Sequence, residues 1–365
     1  MIRQFNILYI SPDFNHACGV SGYVFKLLKH FNNPKSHTVY FITNGGDALK
    51  KLQNENINYK LLRFSKGWKN IFYFPFNYFS LRKFCLANRI DIIHTHHRYP
   101  EFLSNLLKKK LNVKTITTAH SFVNGYKKAS FKSDKIIAVS DAVKNTIIME
   151  FNISAEKIIT LYNCIIPDQN KSVDTNNELL NQLKLKKDDF IILFLGRINE
   201  IKGVDILIEA FRILRKECSS LKLVLVGNVS DKTIVKKKIQ QNENIILLLP
   251  QSNVEPYYIL SSVIVLPSRV ESLGYTMLEA GYFKKPFIGS RTGGIAEFIE
   301  DGVNGFLFEP GNADDLAEKI KFVIDNPKKA KSAAEELHKK VKKYCNCEDY
   351  FAKLTSIYED LVNSP

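Results

Sequence analysis

The order of apolar runs predicts an α/β chain of two doubly wound parallel-sheet domains, and three observations carry that expectation. Strand-length apolar runs alternate with helix-length amphipathic segments, the order that βαβ units produce. With 365 residues, 45% of them hydrophobic, the chain exceeds what one hydrophobic core usually serves. A polar run from Asp168 to Asn181, DQNKSVDTNNELLN, reads as the linker between two halves. The expected domains are residues 1–170 and 171–347, with apolar and aromatic residues at helical intervals from Glu348 to Leu361 forming a terminal helix.

In the first half, Phe5 to Ile10 reads as a buried strand, followed by a loop from Ser11 to Gly22 and a helix from Tyr23 to Phe31. Gly19, Val20, Ser21 and Gly22 in that loop permit close backbone approach to a ligand. Further strands are expected around Thr38–Thr43, Ile90–His94 and Val113–Thr118. The segment Lys66 to Lys83, KGWKNIFYFPFNYFSLRK, interleaves cations with Trp68, Phe72, Tyr73, Phe74, Phe76, Tyr78 and Phe79. It reads either as a surface for a lipid headgroup layer or as packing against the first sheet, with Pro75 interrupting it. His94, His96 and His97 stand close together without carboxylate or cysteine companions at ligand spacing, so no metal is expected. Ile136 to Val139 is another strand, after which Ser140 or Asp141 caps a helix, and Ile158 to Tyr162 is the next strand.

The second half opens on Phe190 to Leu195, an apolar run of the kind a strand buried on both faces requires. Gly196-Arg197-Ile198-Asn199-Glu200-Ile201-Lys202-Gly203 then leads into a helical pattern, VDILIEAFRILRKE. A cationic, glycine-flanked turn that opens a helix suits phosphate, because the helix N-terminus presents unpaired N–H groups and positive dipole. Arg197 can grip phosphate oxygens with two parallel bonds, while Lys202 adds a compact point charge. The G-x4-G-K-[ST] spacing of a Walker A loop is absent. Ile264 to Leu266 ends another strand, and Pro267-Ser268 turns the chain into a loop that carries Glu271. After Gly274 a helix starts, placing Glu279 in its first turns, so two carboxylates face the crevice beyond the strand ends.

The run from Pro267 to Gly311, PSRVESLGYTMLEAGYFKKPFIGSRTGGIAEFIEDGVNGFLFEPG, combines Glu-x7-Glu with Thr292-Gly293-Gly294, Glu297, and glycines at 302, 305 and 311. With the G-R-x4-K-G pattern of residues 196–203 it closely resembles the retaining glycosyltransferases of family 4, which have the GT-B fold. The resemblance implies two Rossmann-like domains facing a cleft, an acceptor-binding first half and a donor-binding second half, and a terminal helix over 348–365 packing back on the first domain. It implies a nucleoside diphosphate sugar as donor, a UDP-sugar foremost, and neither cofactor nor metal. By the same resemblance the catalytic residues are Glu271, His120, Arg197 and Lys202. Arg197, Lys202 and backbone N–H groups near Gly293 and Gly294 hold the diphosphate, Glu279 the ribose and Glu271 the donor sugar, with Gly274 also among the donor-binding residues. His96 falls in a D-I-I-H-x-H strand end lining the cleft, and His120, closing TITTAH, donates to a hydroxyl of the transferred sugar or positions the reacting groups. Residues 19–22 fall where the family's loop nears the donor phosphates and acceptor, with Cys18-Gly19 replacing a glycine pair. Hinge closure of the cleft would exclude water from the donor. The implied acceptor is a glycan or lipid-linked glycan of bacterial surface polysaccharide, capsule or lipopolysaccharide synthesis. Alternatives are a small-molecule acceptor, or a noncatalytic nucleotide-sugar-binding protein on the same scaffold.

A formal net charge of +15 and a pI near 9.3 favour anionic partners: nucleotide diphosphates, acidic lipid or nucleic acid. No RNA- or DNA-binding motif accompanies that charge, so nucleic acid is not expected. Six cysteines, with Cys345 and Cys347 the only close pair, make neither a zinc pattern nor a disulfide framework, which fits a reducing cytoplasm. The first residues lack a signal-peptide core, and no apolar span reaches transmembrane length. The expectation is a cytoplasmic protein, or one peripheral on the inner face of the plasma membrane.

Overall fold

The structure, a computed structural model, describes residues 4–16, 18–33, 37–65, 67–165, 176–230, 239, 242–251 and 253–363, less the side chains of residues 68, 176 and 177. The chain divides into two compact units, Met1–Asn163 with Glu348–Pro365, and Cys164–Cys347. Of the linker read from polar composition, residues 168–175 lie outside the described residues, and Asn176–Gln182 is a helix.

Unit 1 alternates strand and helix: β1 (Phe5–Ile10), α1 (Gly19–Phe31), β2 (His37–Thr43), α2 (Leu49–Asn54), β3 (Asn58–Leu61), α3 (Asn70–Ala87), β4 (Ile92–Thr95), α4 (Arg98–Leu111), β5 (Lys114–Ala119), β6 (Lys135–Ala138), α5 (Asp141–Phe151) and β7 (Ile158–Thr160). The strands form one parallel sheet in the order β3-β2-β1-β4-β5-β6-β7. β1 is an interior strand, with Ile7, Leu8, Tyr9 and Ile10 all buried, because helices cover both faces of a parallel sheet. Each such apolar side chain, fully buried, stabilises by about 1.5–3 kcal/mol. Ser140 caps α5, its hydroxyl accepting from the Val143 N–H at 3.2 Å.

Two local expectations are corrected. Gly19 to Gly22 are the first turn of α1 and not a loop, since a helix start needs unpaired N–H groups more than side chains and glycine does not oppose it there. Pro75 does not interrupt the aromatic segment, because α3 runs straight through it. The carbonyl at Ile71 that loses its partner lies on the exposed side of the helix, where water can serve it.

Unit 2 repeats the plan: α6 (Asn176–Gln182), β8 (Phe190–Leu195), α7 (Val204–Arg215), β9 (Leu221–Val226), β10 (Ile245–Leu248), α8 (Glu255–Leu260), β11 (Val263–Leu266), α9 (Tyr275–Tyr282), β12 (Phe287–Ser290), α10 (Gly293–Phe298), β13 (Phe306–Phe308), α11 (Ala313–Asp325) and α12 (Pro327–Tyr344). Its parallel sheet runs β10-β9-β8-β11-β12-β13. The last helix, α13 (Cys347–Asn363), returns to unit 1. Its buried residues Tyr350, Phe351, Leu354, Ile357, Tyr358 and Leu361 recur at three- and four-residue intervals, giving one apolar stripe for the first unit's core.

Candidate active site

In unit 2 the strand order reverses between β8 and β11, so the loops leaving their carboxyl ends turn to opposite sides and open a crevice. The sequence builds both loops to fit one another. In the first loop Asn199 Oδ1 accepts the Lys202 N–H at 3.0 Å, and Gly203 closes the turn with φ +66°. A Cβ at Gly203 would stand 1.9 Å from the Pro267 carbonyl oxygen, so only glycine lets the loops touch. The Arg269 guanidinium bridges them, reaching both Asp205 carboxylate oxygens at 2.8 and 2.7 Å and the Glu200 carbonyl at 2.5 Å.

Between these loops Lys202 Nζ lies 2.5 Å from Glu271 Oε2, and Ser268 Oγ donates to the same oxygen at 3.0 Å. Glu271 is only 8% exposed, so the lysine both neutralises and aims it. Arg197, two residues past the strand end, is exposed and has no hydrogen-bond or ion-pair partner among the described residues. Arg197 is therefore a cation of this loop that no carboxylate among the described residues has taken up.

Gly274 caps α9 from the left-handed region at φ +88°, and Thr276 ties that helix to β8 through the Leu195 carbonyl at 2.9 Å. Glu279 follows on α9, where Oε2 accepts from the Tyr258 hydroxyl at 2.6 Å. Burial, then the neighbouring carboxylate, raises the Tyr258 phenol well above its usual range, so it remains a donor. Gly293 and Gly294 open α10, but the Gly294 N–H is already engaged with the Glu271 carbonyl at 3.1 Å. The Gly294 N–H thus ties α10 to the Glu271 loop. A Cβ at Gly294 would meet the Ser272 carbonyl oxygen at 2.3 Å, so the residue serves the close approach of α10 to the Glu271 loop.

The equivalent reversal in unit 1 falls between β1 and β4, and its edge is different in kind. His94 Nδ1 lies 2.7 Å from the Tyr358 hydroxyl and its Nε2 2.7 Å from Thr118 Oγ1. His96 Nδ1 lies 3.1 Å from His120 Nε2, and His96 Nε2 is buried with no partner among the described residues. Burial pushes His94 and His120 down to about 3 and His96 well down too, neighbouring imidazoles adding to the effect, so all three rings are neutral near pH 7. Tyrosines enclose them: Tyr23 meets His120 edge-on at 4.9 Å, and the Tyr9 hydroxyl lies 2.9 Å from that of Tyr358. The hydroxyls of Tyr23 and Tyr350 also pair. At the start of α1, Ser21 Oγ donates to the Asp13 carbonyl at 3.1 Å and accepts the Asn15 N–H at 3.0 Å, so it shapes the preceding loop. Gly19 and Gly22 beside it are exposed, and Val20 is half-buried.

Tyr258, the Arg269–Asp205 clamp and the four tyrosines escape a reading by motif. Tyr258 lies 21 positions before Glu279 and on another helix, so no local period connects them. Asp205, an acid in the first turn of α7, was the one available signal. Among the described residues, no three His, Cys, Asp or Glu side chains gather as a metal would need, and no helix is long and apolar enough to cross a membrane.

Two parallel α/β units of this order, the second with its cations and paired glutamate at the point of reversal, define a GT-B glycosyltransferase architecture. Residues 175–340 match the family described as glycosyl transferases group 1, and residues 17–169 that described as glycosyltransferase family 4. The chain belongs to this glycosyltransferase family. An uncharacterised glycosyltransferase of Methanocaldococcus jannaschii is 29% identical over 97% of this chain and 98% of its own. The lipopolysaccharide 1,2-N-acetylglucosaminetransferase of Salmonella typhimurium is 26% identical over 88% and 89%. Among solved structures, a glycosyltransferase from Rickettsia africae superposes with a TM-score of 0.86 at 25% identity, over 99% of this chain and 100% of that one. Anabaena HepE in complex with UDP and glucose superposes at 0.84 and 18% identity, over 98% and 100%, a likeness of fold.

Proposed function

We propose that the chain transfers a sugar, with retention of anomeric configuration, from a nucleoside diphosphate sugar to a hydroxyl of a glycan or lipid-linked glycan acceptor. The observation that carries this reading is the Lys202–Glu271 pair at the strand reversal, with Arg197 on the same loop as Lys202, exposed and without a partner among the described residues. In this reading Arg197 and Lys202 hold the diphosphate. As the glycosidic bond breaks, the leaving diphosphate gathers negative charge, so cations already in place favour the transition state over bound donor. Glu271, freed in part from Lys202 when phosphate arrives, faces the sugar and stabilises the positive charge developing at its anomeric carbon. Glu279, with one oxygen fixed by Tyr258, takes the ribose hydroxyls through the rest of its carboxylate. That assignment leaves no second carboxylate for a glycosidase-type double displacement, which needs a nucleophile and an acid/base flanking the bond. With the leaving group held by cations, the reaction calls for no metal. In unit 1 the neutral His96–His120 pair can exchange hydrogen bonds with a sugar hydroxyl without adding charge.

UDP-glucose is the favoured kind of donor, because HepE, of the same fold, is seen with UDP and glucose. The Salmonella relative, named for a lipopolysaccharide reaction, supports a bacterial surface glycan as product.

A thermal-shift screen against UDP-, GDP- and ADP-sugars tests the donor. A ligand present at about a hundred times its Kd should add roughly 2.7 kcal/mol of apparent stability. Transfer assays on Glu271→Ala then separate enzyme from binding module: the enzyme loses transfer and keeps donor binding. No shift with any nucleotide sugar would sink the reading. Transfer to small hydroxy acids and not to glycans would move the acceptor to the small-molecule class.

A further inference from the structure

Helix α3 is apolar on two opposite faces, and one core can use only one of them. Leu81 and Cys85, with Phe74 and Tyr78 beside them, pack into the cluster formed by Leu8, Ile93, Leu103 and their neighbours. On the other side Ile71 and Phe72 are each 71% exposed, and Phe76 and Phe79 each 65%. Phe72, Phe76, Phe79, Lys83 and Leu86 are spaced at intervals of three and four, so they form one stripe along the helix, about 21 Å long. Scattered exposed apolar residues are ordinary on a protein surface, whereas a continuous aromatic stripe marks an interaction site.

The surroundings say what kind of partner fits. Residues 56–90 contain seven lysines and arginines and no aspartate or glutamate. Lys69, Arg82 and Lys83 are exposed at the two ends of the stripe, and exposed Arg63 lies 4.8 Å over the half-buried Tyr73 ring. A groove of about 830 Å3 opens alongside, with Leu61, Phe64 and Phe76 among its apolar lining and Arg63 and Lys69 among its cations. A second copy meeting this face symmetrically would bring like charges together with no carboxylate to offset them. An apolar interior beneath an anionic surface matches both features at once.

We propose that the outer face of α3 docks unit 1 onto an anionic phospholipid bilayer, with Phe72, Phe76 and Phe79 entering the headgroup boundary and Lys69, Arg82 and Lys83 meeting lipid phosphates. Such docking suits a lipid-linked acceptor. Vesicle binding is measured with neither donor nor acceptor, so it and the transfer reading can fail separately.

The test is flotation of the full chain with phosphatidylcholine vesicles, with and without phosphatidylglycerol. Wild-type protein should float with the phosphatidylglycerol vesicles at low salt and leave them as salt rises. Replacing Phe72, Phe76 and Phe79 together by Ser should weaken binding about tenfold or more, while Met149→Ser, an exposed apolar change on α5, should not. Arg82→Gln with Lys83→Gln should weaken it about twenty-fivefold, at roughly fivefold per cation lost, and gives an independent reading if the triple variant misfolds. Wild-type protein that floats with neither vesicle, or equally with both, overturns the proposal. So does a triple variant that folds and binds as wild type, or one whose only change is from dimer to monomer in sedimentation.

Discussion

The two units share a topology and differ in what they place at its point of reversal. At the β8/β11 edge the side chains are charged and held by one another, Lys202 on Glu271 and Arg269 on Asp205, with Arg197 left over among the described residues. At the β1/β4 edge they are neutral: imidazoles stripped of charge by burial and tyrosines bonded in pairs. The backbone therefore decides where a ligand can sit, and the loops decide whether that place answers to charge or to hydroxyls.

The contrast can be broken most decisively at Lys202. Lys202→Ala should lower turnover by about 100-fold to 1000-fold, as loss of one preorganised charge contact does, and should leave Glu271 buried without its cation. Steady-state transfer rates with folding checked by calorimetry would show it. A variant that turns over normally would mean the charged edge is not where the donor reacts.

Backbone fit comes next. Gly203→Ala forces a methyl group to within 1.9 Å of a carbonyl oxygen at a positive φ, and should destabilise unit 2 by roughly 3 kcal/mol. Gly22→Ala, inside α1 with nothing within 4 Å of the added carbon, should instead stabilise by about 0.5–1 kcal/mol. Urea titrations of the two variants distinguish a glycine kept for loop contact from one that helix geometry merely tolerates.

A third expectation sharpens the neutral side. His94 falls from an ordinary 6.5 to about 3 in the folded chain, so the unfolded chain binds the extra proton between those values. Its contribution to stability is complete above pH 6.5 and is lost as pH falls toward 3, by about 1.4 kcal/mol per pH unit. Denaturant midpoints from about pH 7 to pH 5 should drop with that slope or more, since His96 and His120 act in the same sense, and His94→Gln should flatten it. A flat profile would show the imidazoles to be solvated. The smallest effect is expected for Tyr258→Phe, which removes one hydrogen bond to Glu279. Donor affinity measured by calorimetry should weaken about threefold, with the rate at saturation nearly kept.

The strands whose loops matter most were legible in the sequence because a strand buried on both faces has to be apolar throughout. Phe190–Leu195 shows it at every position and Phe5–Ile10 at all but the half-buried Asn6, and the structure gives both the same bounds. Cations and acids that leave those strands at fixed spacing were legible for the same reason. What could not be read depended on distance in sequence. Tyr358 is 264 positions from His94, and no local pattern can announce that pairing. The first turn of α1 was misread as loop because glycines there look like a break, although the orphan N–H groups of a helix start tolerate them. Pro75 misled in the same way, since its cost depends on which side of the helix faces water.

The return of α13 to unit 1 has a consequence for how the protein is made. Tyr350 and Tyr358 fill and hydrogen-bond the interior of a unit whose other residues end at Asn163. Domains ordinarily fold in the order in which the ribosome delivers them. Here the first unit to emerge is the last to be completed: its histidines wait, with Tyr9 and Tyr23 lacking their partners, until the whole of unit 2 has been synthesised.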